Sequence, residues 1–337
     1  MIRAAIVGIG HWGRTLVGSV QGKSGAIRFT AGHTRTRASA EGFCAEHGIR
    51  LYDDLATILA DPEIDAVVYA TPHSEHGRQV ERTAAAGKHV FMEKPFTLDL
   101  GSAERALEAV AAAGVVLGLA YPRRFHPGMR ELKARIDDGR LGTIAHCHGE
   151  QNAPAGLFMA KTSWRADPGE APGGGMTALG VHNLDAMIHL FGRIEEVYCR
   201  SRRRAAAYDC DDTTSVMLVF ANGMSGTLLC SLVTAVGYRL AVFGTKGCAE
   251  LLTPSLDLHF TPTPAGPPTG RYAAAEPEII QNRGFNPILA ELEAFAAAIR
   301  GEQPYPIPPD QIRHGVAAFA AIVRSAAEQR PVKVAPG

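Results

Sequence analysis

The chain opens with the stretch Ala4-Ala5-Ile6-Val7-Gly8-Ile9-Gly10-His11-Trp12-Gly13. A short apolar strand that runs into the pattern GxGxxG and then into a helix is typical of a dinucleotide-binding βαβ unit. The first glycine allows a tight turn, the second lets a pyrophosphate approach the backbone, and the third lets the helix pack on the strand. The helix N-terminus also favours the negative charge of phosphates. We therefore predict that Gly8, Gly10, His11, Trp12 and Gly13 bind a dinucleotide.

The residues after the second predicted strand indicate which dinucleotide binds. NAD-binding folds place an Asp or Glu about 20 residues beyond the glycines, where it binds the ribose 2′-hydroxyl. This chain has no acidic residue before Glu41 and carries two hydroxyls and two arginines at that point instead, namely Thr34, Arg35, Thr36 and Arg37. Because the planar guanidinium of arginine suits a phosphate, these residues favour NADP over NAD, with Thr34 and Arg35 as the predicted contacts. The alternative is that these residues form a solvated basic loop.

Composition limits the class of protein and its partners. A length of 337 residues suggests two domains, at roughly 150 residues each. The formal net charge is zero, so neither nucleic acid nor a membrane surface is predicted as a partner. No apolar run reaches the roughly 20 residues that span a bilayer, and no signal peptide precedes the first predicted strand. We expect a cytoplasmic enzyme with a small-molecule substrate.

The cysteines and histidines predict neither disulfides nor a metal site. The cysteines lie far apart without a CxxC pair, which is typical of free thiols in a reducing compartment. His146 and His148 share one side of a predicted strand, but no third ligand accompanies them. The six cysteines are Cys44, Cys147, Cys199, Cys210, Cys230 and Cys248.

Two patterns of strands and helices divide the chain into domains at 1–121 and 122–337. The first alternates strands with helices, which predicts an α/β Rossmann domain with a doubly wound parallel sheet. The second contains strand-like runs joined by short turns, which predicts an α+β domain with a large, mostly antiparallel open sheet. Helices near 287–300 and 309–328 close the chain, and 261–270 is predicted to be irregular. The six strand-like runs are 144–150, 197–203, 213–220, 224–233, 238–243 and 248–252.

Reactive side chains follow two strands of the predicted parallel sheet. In such a sheet the active site lies beyond the carboxyl ends of the strands. The proline after Lys94 disfavours helical geometry and keeps the lysine at the strand tip. We predict a catalytic role for Lys94, against the alternative of a surface lysine. The residues at these two strand ends are Thr71, Pro72, His76, Glu93, Lys94 and Pro95.

A third constellation lies in the second domain. Three glycines at 173–175 allow close approach of the backbone to a ligand, and a predicted helix follows them. His182 and Asp185 stand at i and i+3 on one face of that helix, and His189 continues the face. We predict a functional role for His182, whereas His189 fits better as a buried core histidine.

These motifs together resemble the Gfo/Idh/MocA family, named for glucose–fructose oxidoreductase, inositol dehydrogenase and a rhizopine catabolism protein. The resemblance covers nearly the whole chain. It implies hydride transfer between a nicotinamide cofactor and a carbinol of a sugar, cyclitol or similar polyol. It also implies that Lys94 and His182 are the catalytic pair, and that the second domain forms the interface of a homodimer or homotetramer through its sheet. The motifs that carry it are Gly8–Gly13, Thr71-Pro72 with His76, Glu93-Lys94-Pro95, Arg123-Arg124-Phe125, Trp164-Arg165 and the glycine turn before His182.

The resemblance also assigns the remaining cofactor contacts. It implies that Thr71, Pro72, His76, Glu93 and Lys94 bind the cofactor in the first domain. Arg124 and Trp164 are the corresponding contacts from the second domain.

The chain departs from the family pattern before the histidine. The family usually has Asp-x-Gly-x-His, whereas this chain has Ala178 at the Asp position. Either Asp185 compensates as a further catalytic residue, or the substrate supplies the carboxylate.

The sequence is also compatible with two other functions. One is a redox-neutral glycoside hydrolase or lyase that uses NAD transiently. The other is a nucleotide-binding sensor without catalysis, which Ala178 favours and the presence of Lys94 and His182 disfavours.

Overall fold

The computed structural model describes residues 1–264, 266 and 275–336. Its strands are β1 (Ile2–Val7), β2 (Ile27–His33), β3 (Arg50–Leu51), β4 (Ala66–Tyr69), β5 (His89–Met92), β6 (Leu117–Leu119), β7 (Ile144–Asn152), β8 (Ile194–Arg202), β9 (Thr213–Phe220), β10 (Ser225–Ser231), β11 (Gly237–Gly244), β12 (Gly247–Leu252), β13 (Asp257–Pro262), β14 (Glu278–Ile280) and β15 (Val332–Lys333). Its α-helices are α1 (His11–Val20), α2 (Glu41–Glu46), α3 (Leu55–Ala60), α4 (His76–Ala85), α5 (Leu100–Ala113), α6 (Pro127–Asp137), α7 (Ala155–Phe158), α8 (Val181–Phe191), α9 (Pro287–Ile299) and α10 (Pro309–Glu328).

The first structural unit is built on a six-stranded parallel sheet of order β3-β2-β1-β4-β5-β6. The central strands are apolar on both faces, and all four residues of β4 are fully buried. Strands that are covered on both faces need such continuous apolar runs. From β1 the strands are added towards one edge of the sheet as β2 and β3, and then towards the other edge as β4, β5 and β6. An open α/β sheet binds its ligands at such a switch point, here between β1 and β4. The predicted Rossmann sheet is confirmed.

The boundary of the first unit differs from the division at residue 121. The unit comprises Met1–Pro122 together with Asn286–Val316. The returning segment packs on the parallel sheet, where the ring centroids of Phe295 and Phe91 lie 5.4 Å apart. The hydroxyl of Tyr305 also donates a hydrogen bond of 2.9 Å to the carbonyl of Leu119. Sequence patterns report local elements, and they do not report that a distant segment returns to an earlier sheet.

The second unit comprises Arg123–Phe285 and Ala317–Gly337. Its nine-stranded sheet has the order β14-β13-β12-β11-β7-β10-β9-β8-β15. All neighbouring strands are antiparallel except β7 and β10, which pair in parallel. The predicted, mostly antiparallel sheet is therefore confirmed. Positions 265 and 267–270 of the predicted irregular segment lie outside the described residues, whereas β13 occupies its start through Pro262.

The structure bears on several expectations drawn from composition. All six cysteines are free thiols, and five of them are buried. No helix within 1–264 or 275–336 is long and apolar enough to cross a membrane. The predicted homodimer or homotetramer stays a prediction. Met217, Val219 and Phe243 on strands of the nine-stranded sheet are exposed apolar residues of the kind that such an interface covers.

A buried carboxylate organises the loop between β8 and β9. Asp212 is fully buried, and one of its oxygens accepts hydrogen bonds from the backbone N–H groups of Arg204, Ala205 and Ala206 at 2.7–2.9 Å. The other oxygen accepts from the hydroxyl of Thr213 at 2.9 Å. Burial raises the pKa of Asp212, but these hydrogen bonds outweigh it and hold the pKa below its usual value.

We expect the substitution Asp212→Asn to lower the free energy of unfolding at neutral pH by about 1–3 kcal/mol, since an amide accepts these hydrogen bonds less strongly than a carboxylate. Because the pKa of Asp212 is lower in the folded state, its ionised form stabilises the fold above an unfolded pKa of about 3.9. That stabilisation is lost as the pH falls through the folded pKa. Urea denaturation between neutral and acidic pH measures both effects.

The control for this experiment is Asp209→Asn, because the side chain of Asp209 is 88% exposed and pairs only with the exposed Arg203 in the described structure. It should change stability by less than about 1 kcal/mol. An Asp212→Asn variant that is as stable as the control at all pH values would contradict the assignment.

Candidate active site

The glycine turn at the end of β1 is shaped by close backbone contacts and by one open direction. Gly8 has a φ of +93°, and a Cβ added there would lie 2.3 Å from the carbonyl oxygen of Ala70. A Cβ on Gly13 would lie 2.1 Å from the carbonyl oxygen of Gly8. In contrast, a Cβ on Gly10 would meet no described atom within 4 Å. Packing therefore requires the first and third glycines, whereas the second borders open space.

This open space lies at the N-terminus of α1. Gly10 is the N-cap of the helix, and its first turn holds no acidic side chain. The exposed N–H groups and the helix dipole favour an anion there. The residues present therefore fit the pyrophosphate of a dinucleotide, and His11 and Trp12 begin the helix beside it.

The end of β2 carries the two residues predicted to select the cofactor. Thr34 is half-buried and Arg35 is exposed, and the guanidinium of Arg35 makes no ion pair within the described structure. Arg37, the second arginine of the predicted phosphate site, is instead engaged by Asp53 at 2.6 Å and by Glu41 at 3.4 Å, so its charge is already neutralised. Sequence reasoning missed Asp53 here, because its approach depends on the fold of the segment around β3.

His76 follows β4, and its two ring nitrogens lie near backbone carbonyl groups of two different loops. It is fully buried, with Nδ1 at 2.8 Å from the carbonyl oxygen of Pro95 and Nε2 at 3.2 Å from that of Thr71. The hydroxyl of Thr71 also donates a hydrogen bond of 2.7 Å to Gln79. His76 thus connects the loop after β4, which contains Pro72, to the loop after β5.

The end of β5 places Lys94 next to a buried acid. Glu93 is buried, and its carboxylate accepts hydrogen bonds from the indole N–H of Trp12 and from the backbone N–H of Lys94. Lys94 is half-buried, and its peptide bond to Pro95 is cis. Glu93 thereby links the start of α1 to the tip of β5. The structure brings the predicted residues of the glycine turn and of the β5 tip into one neighbourhood.

In the second unit, the predicted glycine turn enters α8 through a π-helical turn. The turn covers Met176–Gly180, so Ala178 lies in it, and the half-buried His182 follows in the first turn of α8. A Cβ on Gly174 would lie 1.7 Å from the carbonyl oxygen of Asp211. Backbone packing therefore requires this glycine. At least one of the three glycines is thus explained by packing and does not need a ligand to account for it. Single-turn π-helical insertions are frequent at functional sites.

Asp185 and Arg124 form a buried ion pair. Arg124 Nε and Nη2 donate to the two carboxylate oxygens of Asp185 at 2.8 and 2.7 Å, and the side chains are only 2% and 8% exposed. Arg124 Nη1 also lies 3.4 Å from Nδ1 of His189. Burial raises the pKa of Asp185, and the guanidinium groups of Arg124 and Arg123 act in the opposite direction. The two predicted site residues Asp185 and Arg124 are therefore engaged with each other.

Other predicted and missed residues also lie in the second unit. Trp164 lies in a short 3-10 helix, with the guanidinium of Arg165 at 4.2 Å from its ring centroid. Sequence reasoning missed Tyr238. The guanidinium of Arg123 stacks on its ring, at 4.2 Å from the ring centroid. No sequence signal distinguishes Tyr238 from an ordinary strand tyrosine, because its contact with Arg123 depends on tertiary packing.

Comparisons with known proteins match both halves of the chain. Residues 2–121 match the oxidoreductase family with an NAD-binding Rossmann fold, and residues 129–250 match the GFO/IDH/MocA C-terminal domain. The inositol 2-dehydrogenase of Rhizobium meliloti (strain 1021) is 30% identical over 99% of both chains. The chain belongs to the Gfo/Idh/MocA family of oxidoreductases. The predicted resemblance is thereby confirmed.

Further members of the family differ in how much of their length aligns. The scyllo-inositol 2-dehydrogenase (NAD(+)) of Bacillus subtilis (strain 168) is 30% identical over 73% of this chain and 72% of its own. For the uncharacterized oxidoreductase YrbE of the same strain, also 30% identical, the match spans 58% of either chain.

Solved structures agree with the fold. A levoglucosan dehydrogenase in complex with NADH superposes with a TM-score of 0.87 at 20% identity, covering 100% of both chains. An NAD binding oxidoreductase from Klebsiella pneumoniae gives a TM-score of 0.86 at 20% identity, covering 100% of this chain and 99% of its own.

We expect removal of Asp185 from the buried ion pair to destabilise the protein strongly. Asp185→Ala leaves the Arg124 guanidinium buried without its carboxylate, which should lower the free energy of unfolding by about 3–5 kcal/mol. The double variant Asp185→Leu with Arg124→Met removes both charges and should recover most of this loss. Guanidinium chloride denaturation of the single and double variants measures the coupling.

Asp137→Ala serves as the control, since Asp137 forms an exposed pair with Lys133 on α6. Its effect should stay below about 1 kcal/mol. A loss of similar size for Asp185→Ala would show that the buried pair is not a structural element.

Proposed function

We propose that this protein is an NAD(P)-dependent oxidoreductase that transfers hydride between a nicotinamide cofactor, preferably NADP, and a carbinol or carbonyl of a sugar, cyclitol or related polyol. The observation that carries the proposal is the glycine turn at the N-terminus of α1, open at Gly10, in a chain whose two halves both match the oxidoreductase family. The inositol dehydrogenases among its relatives support a cyclitol or sugar as substrate.

Residues of the glycine turn would hold the cofactor, and residues at the tip of β5 and on α8 would move the substrate proton. The turn Gly8–Gly13 would hold the pyrophosphate at the N-terminus of α1, and Glu93 fixes Trp12 and the backbone of Lys94 beside it. The cofactor supplies the ring that carries the hydride. When a carbinol is oxidised, its hydroxyl proton must leave, and we assign the Lys94 amine as the general base that accepts it. His182 is the second candidate for handling this proton, by its match to the family's catalytic histidine.

Asp185 has a different role in this proposal. Its carboxylate is bound on both oxygens by Arg124, so neither oxygen is poised to take a substrate proton. We propose that Asp185 acts as a positioning residue, which holds Arg124 in place, rather than as a replacement for the acid missing at Ala178.

We expect Lys94→Ala to lower kcat by roughly 10²- to 10⁴-fold, because it removes the general base. The dissociation constant for the nucleotide should stay within about threefold, since the glycine turn is unchanged. Stopped-flow nicotinamide absorbance with scyllo-inositol, myo-inositol and a panel of sugars measures turnover, and fluorescence titration measures binding.

Lys23→Ala is the matched control, because Lys23 is an exposed lysine of the same unit. A kcat of Lys94→Ala equal to that of the control would overturn the assignment of Lys94. Product formation without any net change in nicotinamide absorbance would favour the redox-neutral lyase or hydrolase instead. A nucleotide-binding protein that turns over none of the panel would favour a sensor.

The preference for NADP depends on Arg35. We expect the wild-type protein to bind NADPH more tightly than NADH, and Arg35→Ala to weaken NADPH binding by roughly 10- to 100-fold while leaving NADH nearly unchanged. The reason is that only NADPH carries the 2′-phosphate that the guanidinium would bind. Parallel titrations of both nucleotides measure the ratio.

The control Arg28→Ala removes an exposed arginine from β2 without touching the loop. Equal affinity of the wild-type protein for the two nucleotides would refute the NADP preference but leave the hydride-transfer proposal intact.

A further inference from the structure

Arg123 is a guanidinium that no acid neutralises within the described part of the second unit. Its neighbour Arg124 pairs with Asp185, whereas Arg123 makes no ion pair there and stacks at 4.2 Å from the ring centroid of Tyr238. Asp185 is the carboxylate whose charge acts on Arg123 electrostatically, and Arg124 already binds both of its oxygens. Two guanidinium groups therefore share one carboxylate.

The surroundings make this excess of positive charge costly. Arg123 is half-buried, and burial lowers the pKa of its guanidinium, with Tyr238 and Asp185 acting in the opposite direction. Burial also lowers the pKa of the nearby His189 to about 4, so that His189 is neutral at physiological pH and adds no further positive charge. Removing a cation from water costs free energy unless an anion or a strong acceptor meets it.

The stacked pair of Arg123 and Tyr238 contains two kinds of hydrogen-bond donor. Stacking on the ring of Tyr238 occupies the face of the guanidinium and leaves its in-plane N–H groups able to donate. Tyr238 is 4% exposed, and its hydroxyl has no hydrogen-bond partner in the residues that the structure describes. Burial raises the pKa of Tyr238 to about 12, so its hydroxyl stays protonated and can donate.

An acceptor lies next to these donors. Gln151 on β7 stands directly opposite Tyr238 on β11 in the antiparallel register. Side chains at such positions lie on one face of the sheet, with Cβ atoms about 4.5–5.5 Å apart. Gln151 is buried, and its Oε1 atom has no partner among the described residues. It can therefore accept a hydrogen bond from a ligand hydroxyl.

We propose that Arg123 and Tyr238 bind the carboxylate of the substrate and that Gln151 accepts a hydrogen bond from a neighbouring hydroxyl. The substrate class is then a polyhydroxy carboxylate rather than a neutral sugar or cyclitol. Ala178 is consistent with this class, because it provides no carboxylate that would repel an anionic ligand. The inference rests on the proposed function in treating the ligand of this site as the substrate.

Calorimetric titration of the full chain at low ionic strength tests this site. The probes are D-gluconate, D-galactonate and D-arabinonate, each paired with its neutral alditol. We expect at least one acid to bind at least tenfold more tightly than its alditol, as a charge-assisted hydrogen bond implies. Arg123→Met should weaken binding of that acid by roughly 10- to 150-fold, and Tyr238→Phe by roughly 3- to 10-fold.

The control variants separate binding from folding and from general charge. Arg239→Met removes an exposed arginine from β11, next to Tyr238, and should leave acid binding unchanged. Arg123→Lys keeps the charge but loses the planar donors, so binding should be intermediate. Urea denaturation of each variant confirms that it is folded.

The outcomes distinguish this site from the proposed function. Equal binding of acids and alditols, binding of no acid by the wild-type protein, or the same affinity in Arg123→Met and wild type overturns the carboxylate site, even if hydride transfer to neutral polyols is observed. Conversely, Arg123-dependent binding of an acid by a protein that binds neither NADH nor NADPH in fluorescence titration leaves the anion site standing and refutes the oxidoreductase function.

Discussion

The close approach of two backbones at the carboxyl ends of β1 and β4 is the constraint on which the first unit depends. Gly8 lies so near the carbonyl oxygen of Ala70 that any side chain would collide with it. The same turn brings Gly13 against the carbonyl oxygen of Gly8 and starts α1 at once. Since neither position can be filled, the helix N-terminus is left facing open space beside Gly10. The pyrophosphate site that we propose lies at this helix N-terminus.

The strand ends that border this turn are joined by polar contacts rather than by apolar packing alone. His76 connects the loops after β4 and β5, and Glu93 connects the tip of β5 to Trp12 on α1. The side chains of His76 and Glu93, which the sequence analysis predicts to bind the cofactor, thus also hold neighbouring strand ends together. Glu93 also fixes the backbone of Lys94, and a fixed position is what the proton acceptor proposed at Lys94 requires.

In the second unit the distribution of charge is the deciding feature. The buried Asp185 on α8 forms an ion pair with Arg124, whereas the adjacent Arg123 stacks on the ring of Tyr238. At Ala178 the chain also lacks the acid of the family pattern, which agrees with the anionic ligand proposed above.

The sequence by itself determined the alternation of strands and helices, the glycine turn and the family, because these depend on local spacing and on short-range backbone geometry. The helix at 309–328 and the strand at 213–220 were predicted with the bounds that the structure has. Only the tertiary structure decided that Asn286–Val316 returns to the first unit, that Asp53 reaches Arg37, and that Arg124 rather than Arg123 receives the carboxylate of Asp185. Each of these contacts joins residues that are distant in sequence, and a charged side chain carries no local signal of which distant partner will neutralise it.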